Sequence, residues 1–284
     1  MRNLLVKLIL VVTVLVSFQI IFVEDSKAAC AESSSGVISE AAANASCQDE
    51  PTSYGIVIYN VYLCTAAPNA PTDASSIDLT NCEEVFSNSS GSSASVSTGA
   101  AVTLSGTATR PSDGTYTHGV IIMDNTFAIT ASKQFEVAYV GQVSGVGVYC
   151  ATANGSGTAA AASSPTNTSI CGNSAVTAGT FTETLTSFDD EGTFNATATA
   201  ENVAGTGANI TAYLVDTDQN LAATEAAVDK LHGVVELASS ATVTSSTTNV
   251  DISFNVGEGM SVDGLGGSMF FGSGPFQATL TVTP

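Results

Sequence analysis

Residues 249–256 read NVDISFNV, an alternation without a fault: Val250, Ile252, Phe254 and Val256 on one side, Asn249, Asp251, Ser253 and Asn255 on the other. Side chains along a strand point to opposite faces with a period of two, so this pattern lays one face on a core and gives the other to water. Residues 276–283 (FQATLTVT) do the same, with Phe276, Ala278, Leu280 and Val282 opposite Gln277 and the threonines. Residues 54–64 (YGIVIYNVYLC) are apolar on both sides, the pattern of a central strand covered on both faces. Further strands are read at 96–107, 116–123, 127–131, 135–149, 179–186, 194–200, 208–215 and 233–237. Asp113-Gly114 and the run Asp189-Asp190-Glu191-Gly192 mark turns between some of them. The only segment read as a helix is 221–231, with Asn220 as its cap and Gly233 just past its end. Many strands and almost no helix predict an all-β fold, an antiparallel β-sandwich of immunoglobulin-like or jelly-roll-like kind with one short helix.

Six cysteines, Cys30, Cys47, Cys64, Cys82, Cys150 and Cys171, all precede residue 172. None forms a CxxC pair and neither histidine is near one in sequence, so they read as disulfides rather than metal ligands. Sequential pairing would close three loops of similar size, although spacing alone does not choose among the possible pairings. Their distribution predicts two lobes: a stapled lobe at 29–172 and a cysteine-free lobe at 173–284, meeting near the Ala/Ser/Thr/Gly/Asn-rich stretch 151–180. The start of the chain carries Arg2 and Lys7, an apolar run over 8–23, and small residues at Ser26 and Ala28. This is the pattern of a secretory signal peptide over 1–28, and it places the rest in an extracellular or periplasmic compartment where disulfides persist. The apolar run is short for a bilayer span, which disfavours an uncleaved anchor. Lipidation of Cys30 would leave another cysteine without a partner.

The formal net charge is −20, and of six basic residues only Arg110, Lys133 and Lys230 lie beyond the signal segment. Such a surface repels phosphate backbones and anionic lipid, so no nucleic acid and no membrane is expected as a partner. Charged residues are only 11% of the chain, so the imbalance reflects missing bases more than crowded acids.

Catalytic patterns are not found in the sequence: there is no G-x-S-x-G elbow, P-loop, HExxH or G-x-G-x-x-G opening a helix. A hydrolytic triad would have to use His118 or His232. Residues 118–130, opening HGVI, and 232–244, opening HGVV, echo one another without a gap, a hint of duplication that shared strand composition also explains. Asp216, Asp218 and Asn220 match the D-x-D-x-N opening of a calcium loop, whose alternate oxygens converge on one hard cation. Leu221 and Ala227 stand where an EF-hand needs glycine and glutamate, so calcium is the only cofactor considered and a plain turn is the competing reading. T-x-T patterns at 180–186, 197–199, 242–244 and 279–283 set hydroxyls along strand faces, which would suit ice or a polysaccharide. Threonine's ordinary preference for strands accounts for them as well. The glycine-rich stretch 257–276 carries Met260, Met269, Phe270, Phe271 and Phe276, read either as an apolar loop that docks a neighbour or as core residues beside a loose connection. N-x-S/T sequons at Asn44, Asn88, Asn154, Asn167, Asn195 and Asn209 are what so Ser/Thr-rich a chain produces largely by chance.

These features together predict a secreted or cell-surface structural or adhesive protein, a self-associating subunit of a fibre, layer or coat, whose partners are itself or other surface proteins. The alternative is a secreted calcium- or glycan-binding module, and an extracellular hydrolase comes third.

Overall fold

A computed structural model describes residues 28–97, 104–160, 165–189, 192–200, 209–247 and 249–283. The signal-peptide reading falls, except for Ala28, outside these residues. In chain order the strands begin with β1 (Val37–Ile38), β2 (Cys47–Asp49), β3 (Ser53–Cys64), β4 (Cys82–Val96), β5 (Thr107–Ala108), β6 (Gly114–Asp124) and β7 (Thr126–Thr130). They continue with β8 (Ser132–Gly141), β9 (Val146–Thr152), β10 (Gly155–Ala159), β11 (Ser169–Gly172), β12 (Phe181–Leu185) and β13 (Thr197–Ala200). The last are β14 (Asn209–Val215), β15 (Lys230–Val243), β16 (Asn249–Asn255), β17 (Met260–Asp263), β18 (Ser268–Ser273) and β19 (Gln277–Thr283).

One sheet has seven strands in the order β11-β9-β8-β18-β17-β2, with β1 added beside β8. The other has ten, in the order β10-β12-β7-β3-β6-β15-β14-β13, with β4 beside β3 and β5 beside β4. A separate two-stranded sheet joins β16 to β19, the two segments whose alternation is cleanest in the sequence. The main core lies between the large sheets: Tyr54, Ile56, Ile58, Val61 and Leu63 of β3 and Phe127 and Ile129 of β7 meet Phe135 and Tyr139 of β8 and Met269 and Phe271 of β18. This is the expected all-β sandwich, with mixed rather than wholly antiparallel sheets, since β1–β8, β18–β8 and β10–β12 are parallel pairs.

The disulfides pair sequentially: Cys30–Cys47, Cys64–Cys82 and Cys150–Cys171. Two of them join directly opposite residues on neighbouring strands, Cys64 with Cys82 and Cys150 with Cys171. Three disulfides suit an oxidising extracellular or periplasmic setting. Cys30 has its sulfur committed to Cys47, which leaves no thiol there for a lipid. Among the described residues no helix is long and apolar enough to cross a membrane.

Three expectations are corrected. The helix read over 221–231 reduces to one 3-10 turn at Glu225–Ala227. The chain there is tied sideways to β14, Ala222 N–H donating to Leu214 O and Asp229 N–H to Val215 O, and those bonds replace a helical ladder. The single α-helix among the described residues is α1 (Glu40–Asn44), capped by Ser39 Oγ, which accepts from Ala42 N–H at 3.2 Å. The strand read over 135–149 is two, β8 and β9, turning back between Gly141 and Val146. The boundary read at 172/173 does not divide the sheets, because β12 pairs with β7, β15 with β6, β17 with β2 and β18 with β8 across it.

Gly145, in the turn after β8, has φ +83°, and a Cβ there would sit 1.9 Å from the carbonyl oxygen of Cys171. Gly266 also has positive φ, at +62°, but a Cβ there would meet nothing within 4 Å. Gly145→Ala therefore destabilises the fold by about 3 kcal/mol or more, and Gly266→Ala by only about 1 kcal/mol. Thermal or denaturant melting of the two variants checks the difference.

Candidate functional site

Strand β3 is bonded along one edge to β4 and along the other first to β7 and then to β6. Its register shifts between Ile58 and Asn60 against both β4 and β6. Before this bulge Tyr54, Ile56 and Ile58 are buried; after it the buried positions are Val61 and Leu63. The extra residue keeps the apolar side inward while dividing the outer face of the sheet in two. Beyond the bulge that outer face is apolar, and residues 65–81, looped out by the Cys64–Cys82 disulfide, cover it. Ile77 and Leu79 of the loop join Cys64, Val120, Ile122, Tyr62 and Val234 in a second small core.

The half of the face before the bulge is different. Register aligns Thr158, Thr184 and Thr126 on β10, β12 and β7 and Val57 and Ser93 on β3 and β4, and in the next row Ser156, Thr182, Ala128, Gly55 and Ser95 follow one another across all five strands. A third, shorter row holds Thr130 of β7 opposite Ser53 of β3, with Thr180, just before β12, bonded to Thr130. Their partners along each strand, among them Phe181, Glu183, Phe127, Ile129, Tyr54 and Ile56, are buried, so period-two alternation aims these small side chains outward. Hydroxyls are linked across strands: Thr126 to Thr184 at 3.2 Å, Thr130 to Thr180 at 3.0 Å and Ser53 to Ser95 at 2.7 Å. At the centre Gly55 and Ala128 approach so closely that a Cβ on Gly55 would lie 2.8 Å from that of Ala128. No member of this face ionises.

Charge gathers at its border. Lys230 Nζ lies 5.1 Å from the centre of the Tyr59 ring and pairs with Asp229 at 2.6 Å, while Tyr59 O–H reaches Asp124 at 3.5 Å. Burial first, and then Asp124, raises the Tyr59 hydroxyl above its ordinary pKa. The other two basic residues are also paired, Arg110 with Asp113 and Lys133 with Asp49, each at 2.6 Å. Every basic side chain among the described residues thus already has a carboxylate, and no cationic patch remains to hold an anion.

Among the described residues one histidine and one carboxylic acid are buried. His232 on β15 donates from Nε2 to Gln219 Oε1 at 2.9 Å, leaving Nδ1 without a hydrogen-bond partner. Burial, and then the nearby Lys230 charge, lower its pKa from 6.5 to about 4. Glu183 on β12 points between the sheets and accepts the backbone N–H of Ser273 on β18. Burial raises its pKa, with the bonds from Ser273 acting in the opposite direction. Tyr54, packed against Phe127 and Phe276 with ring centres 5.6 and 5.5 Å away, donates to Gly274 O at 3.3 Å and closes the same junction.

The residues singled out from sequence fare unevenly. Asp216 Oδ1 accepts the backbone N–H groups of Asp218 and Asn220, at 2.9 and 3.0 Å, so it builds a turn that also positions Gln219 beneath His232. Among the described residues no group of three or more His, Cys, Asp or Glu is arranged to hold a metal ion. The docking-loop reading of 257–276 is corrected. Met260, Met269 and Phe271 are fully buried in the main core, Phe276 packs against it, and Phe270 is half-buried, because the segment folds as the β17–β18 hairpin inside the sandwich. The large apolar side chains that are exposed among the described residues, Val140, Val143, Val146 and Leu265, lie instead on β8, β9, the turn between them and the 3-10 turn before β18. Of the threonine patterns, Thr180, Thr182 and Thr184 enter the neutral face; Thr197 and Thr199 lie on β13, and the side chains of 279–283 are outside those described. The contributions of β3, β4, β7 and β10 go beyond the threonine patterns, although runs such as SSASV and GSGTA alternate small residues in the required way.

No known protein family, curated protein or solved structure matches this chain.

The two buried groups give stability opposite dependences on pH. The unfolded chain protonates His232 near 6.5 while the folded state resists until about 4, so stability is lost as pH falls through that window, by about 3 kcal/mol. Glu183 keeps its proton in the folded state above the pH at which the unfolded chain releases it, so its contribution declines as pH rises above about 4.5. Melting curves at pH 4, 5.5 and 7 should show His232→Gln flattening the acid-side loss and Glu183→Gln raising stability most at pH 7.

Proposed function

We propose that this protein is a secreted or cell-surface structural subunit that works by surface contact, associating with itself or with neighbouring surface proteins in a fibre, layer or coat. The observation that carries the reading is the neutral Ser/Thr face, spread over five strands of the larger sheet in a chain of formal charge −20. Net charge of that size keeps proteins apart wherever carboxylates meet, and a broad surface without ionisable groups is where the repulsion is weakest. The cross-strand disulfides support the same reading, since one in each large sheet ties neighbouring strands together in a molecule loaded from outside. A neutral glycan is the alternative ligand for such a face, favoured by its hydroxyls and disfavoured by the lack of an aromatic ring on which a sugar could stack.

Light scattering of the oxidised protein over a concentration series, with electron microscopy of the same samples, tests this. Growth of particles into dimers, filaments or sheets is expected. A protein that stays monomeric at every concentration and retains no surface partner defeats it.

A further inference from the structure

We infer that the neutral face is a self-docking surface, on which a second copy of this chain stacks sheet on sheet through the same residues. The inference rests on the structural-subunit reading and names its partner.

Charge makes the first argument. Thr126, Ala128, Thr130, Thr182, Thr184 and Gly55 form the middle of the face, and none of them ionises. Two copies meeting here keep their carboxylates outside the contact, whereas a partner recognised by opposite charge would gain nothing from this surface.

Complementarity makes the second. A hydroxyl is both donor and acceptor, and a methyl packs on a methyl, so a Ser/Thr plane is complementary to itself in a way that a charged plane is not. The low centre at Gly55 and Ala128, with threonines on either side, lets two such sheets approach closely about a two-fold axis, the symmetry that makes one surface serve both partners. A glycan fits less well: the nearest ring, Tyr59, lies at the border under the Lys230 ammonium.

Area makes the third and sets the strength. Five strands about 4.8 Å apart and rows about 7 Å apart give roughly 400 Å² per copy. Stable dimers bury about 800 Å² per partner, so the contact is weak between isolated copies and gains strength where many are held side by side.

The test uses the oxidised protein and substitutions at Thr182, a half-buried residue of the middle row. Analytical ultracentrifugation should show a dimer populated at tens to hundreds of micromolar, and Thr182→Asp should weaken it about tenfold or more. Thr182→Cys should form an intermolecular disulfide on mild oxidation faster than Ser35→Cys, an exposed position in the turn after β-bridge residue Glu32. Melting temperatures close to that of the parent show that the variants fold. If the parent associates while Thr182→Asp has no effect and Thr182→Cys does not self-link, the structural-subunit reading stands and this face is not its contact. If the parent never associates with itself, the self-docking inference falls, and if it also retains no surface partner the structural-subunit reading falls with it. If the parent is monomeric but sediments with insoluble neutral polysaccharide, and Thr182→Asp releases it, the occupant is a glycan and the second copy is excluded.

Discussion

The register of β3 is the constraint from which the rest of the larger sheet is built. A strand bonded on both edges cannot slip by one residue without turning every inward side chain outward and breaking two ladders at once. The bulge near Tyr59 answers a specific difficulty. It lets one strand keep a continuous buried side while its outer side changes character, from Gly55 and Val57 in the neutral face to Tyr62 and Cys64 under the disulfide loop. Both the loop-covered half and the neutral half of the outer face follow from that single extra residue.

The chain achieves this with very few charges. Ion pairs at or near the surface contribute little, and the three present among the described residues do not hold the sandwich together. The junction between the sheets relies on aromatic packing and on Glu183, whose carboxyl is bonded to Ser273 at the cost of desolvation. A buried acid that favours its protonated form is a local destabilising element at neutral pH, and its presence gives the β12–β18 junction a geometry that an apolar residue of similar size would not specify. The same scarcity of charge bears on function. Hydroxyls keep the outer face soluble without conferring repulsion, so solubility and the capacity for self-contact coexist on one surface.

Alternation in residues 249–256 and 276–283 foretells β16 and β19, because a period of two sustained over eight residues fits the pleat of a strand and not the 3.6-residue turn of a helix. The Ser/Gly-rich β4 is illegible by the same criterion, since its stability comes from pairing with β3 and not from side chains that advertise a strand. At 221–231 local propensity favours a helix, and the hydrogen bonds to Leu214 and Val215 override it. Fully buried Met260, Met269 and Phe271 resemble a docking loop in sequence because the glycines around them suggest flexibility, whereas Gly264, Gly272 and Gly274 permit close contacts. A Cβ on Gly272 would lie 2.8 Å from Ser261 Oγ, and one on Gly274 would lie 2.2 Å from Glu258 O. The threonines of β12 are visible in the sequence, but the neutral face is not, because it depends on the lateral order of five strands.

The same lateral order resolves the histidine echo. Residues 118–121 lie on β6 and 232–235 on β15, and these are antiparallel neighbours in one sheet. Gly233 lies opposite Ile121 and Val235 opposite Gly119, so the two copies of the motif run past each other in opposite directions. Duplicated lobes would place them in equivalent positions of separate sheets; here they are two strands filling the same layer with similar residues. The histidines reach unlike surroundings, His232 buried against Gln219 and His118 half-exposed with Nδ1 2.9 Å from Thr117 Oγ1. His232 lies opposite Ile122 and His118 opposite Glu236, four residues along, which separates them by about 13 Å of strand. The repetition records what an inner strand requires, small and β-branched residues after a polar start, and carries no shared chemical role.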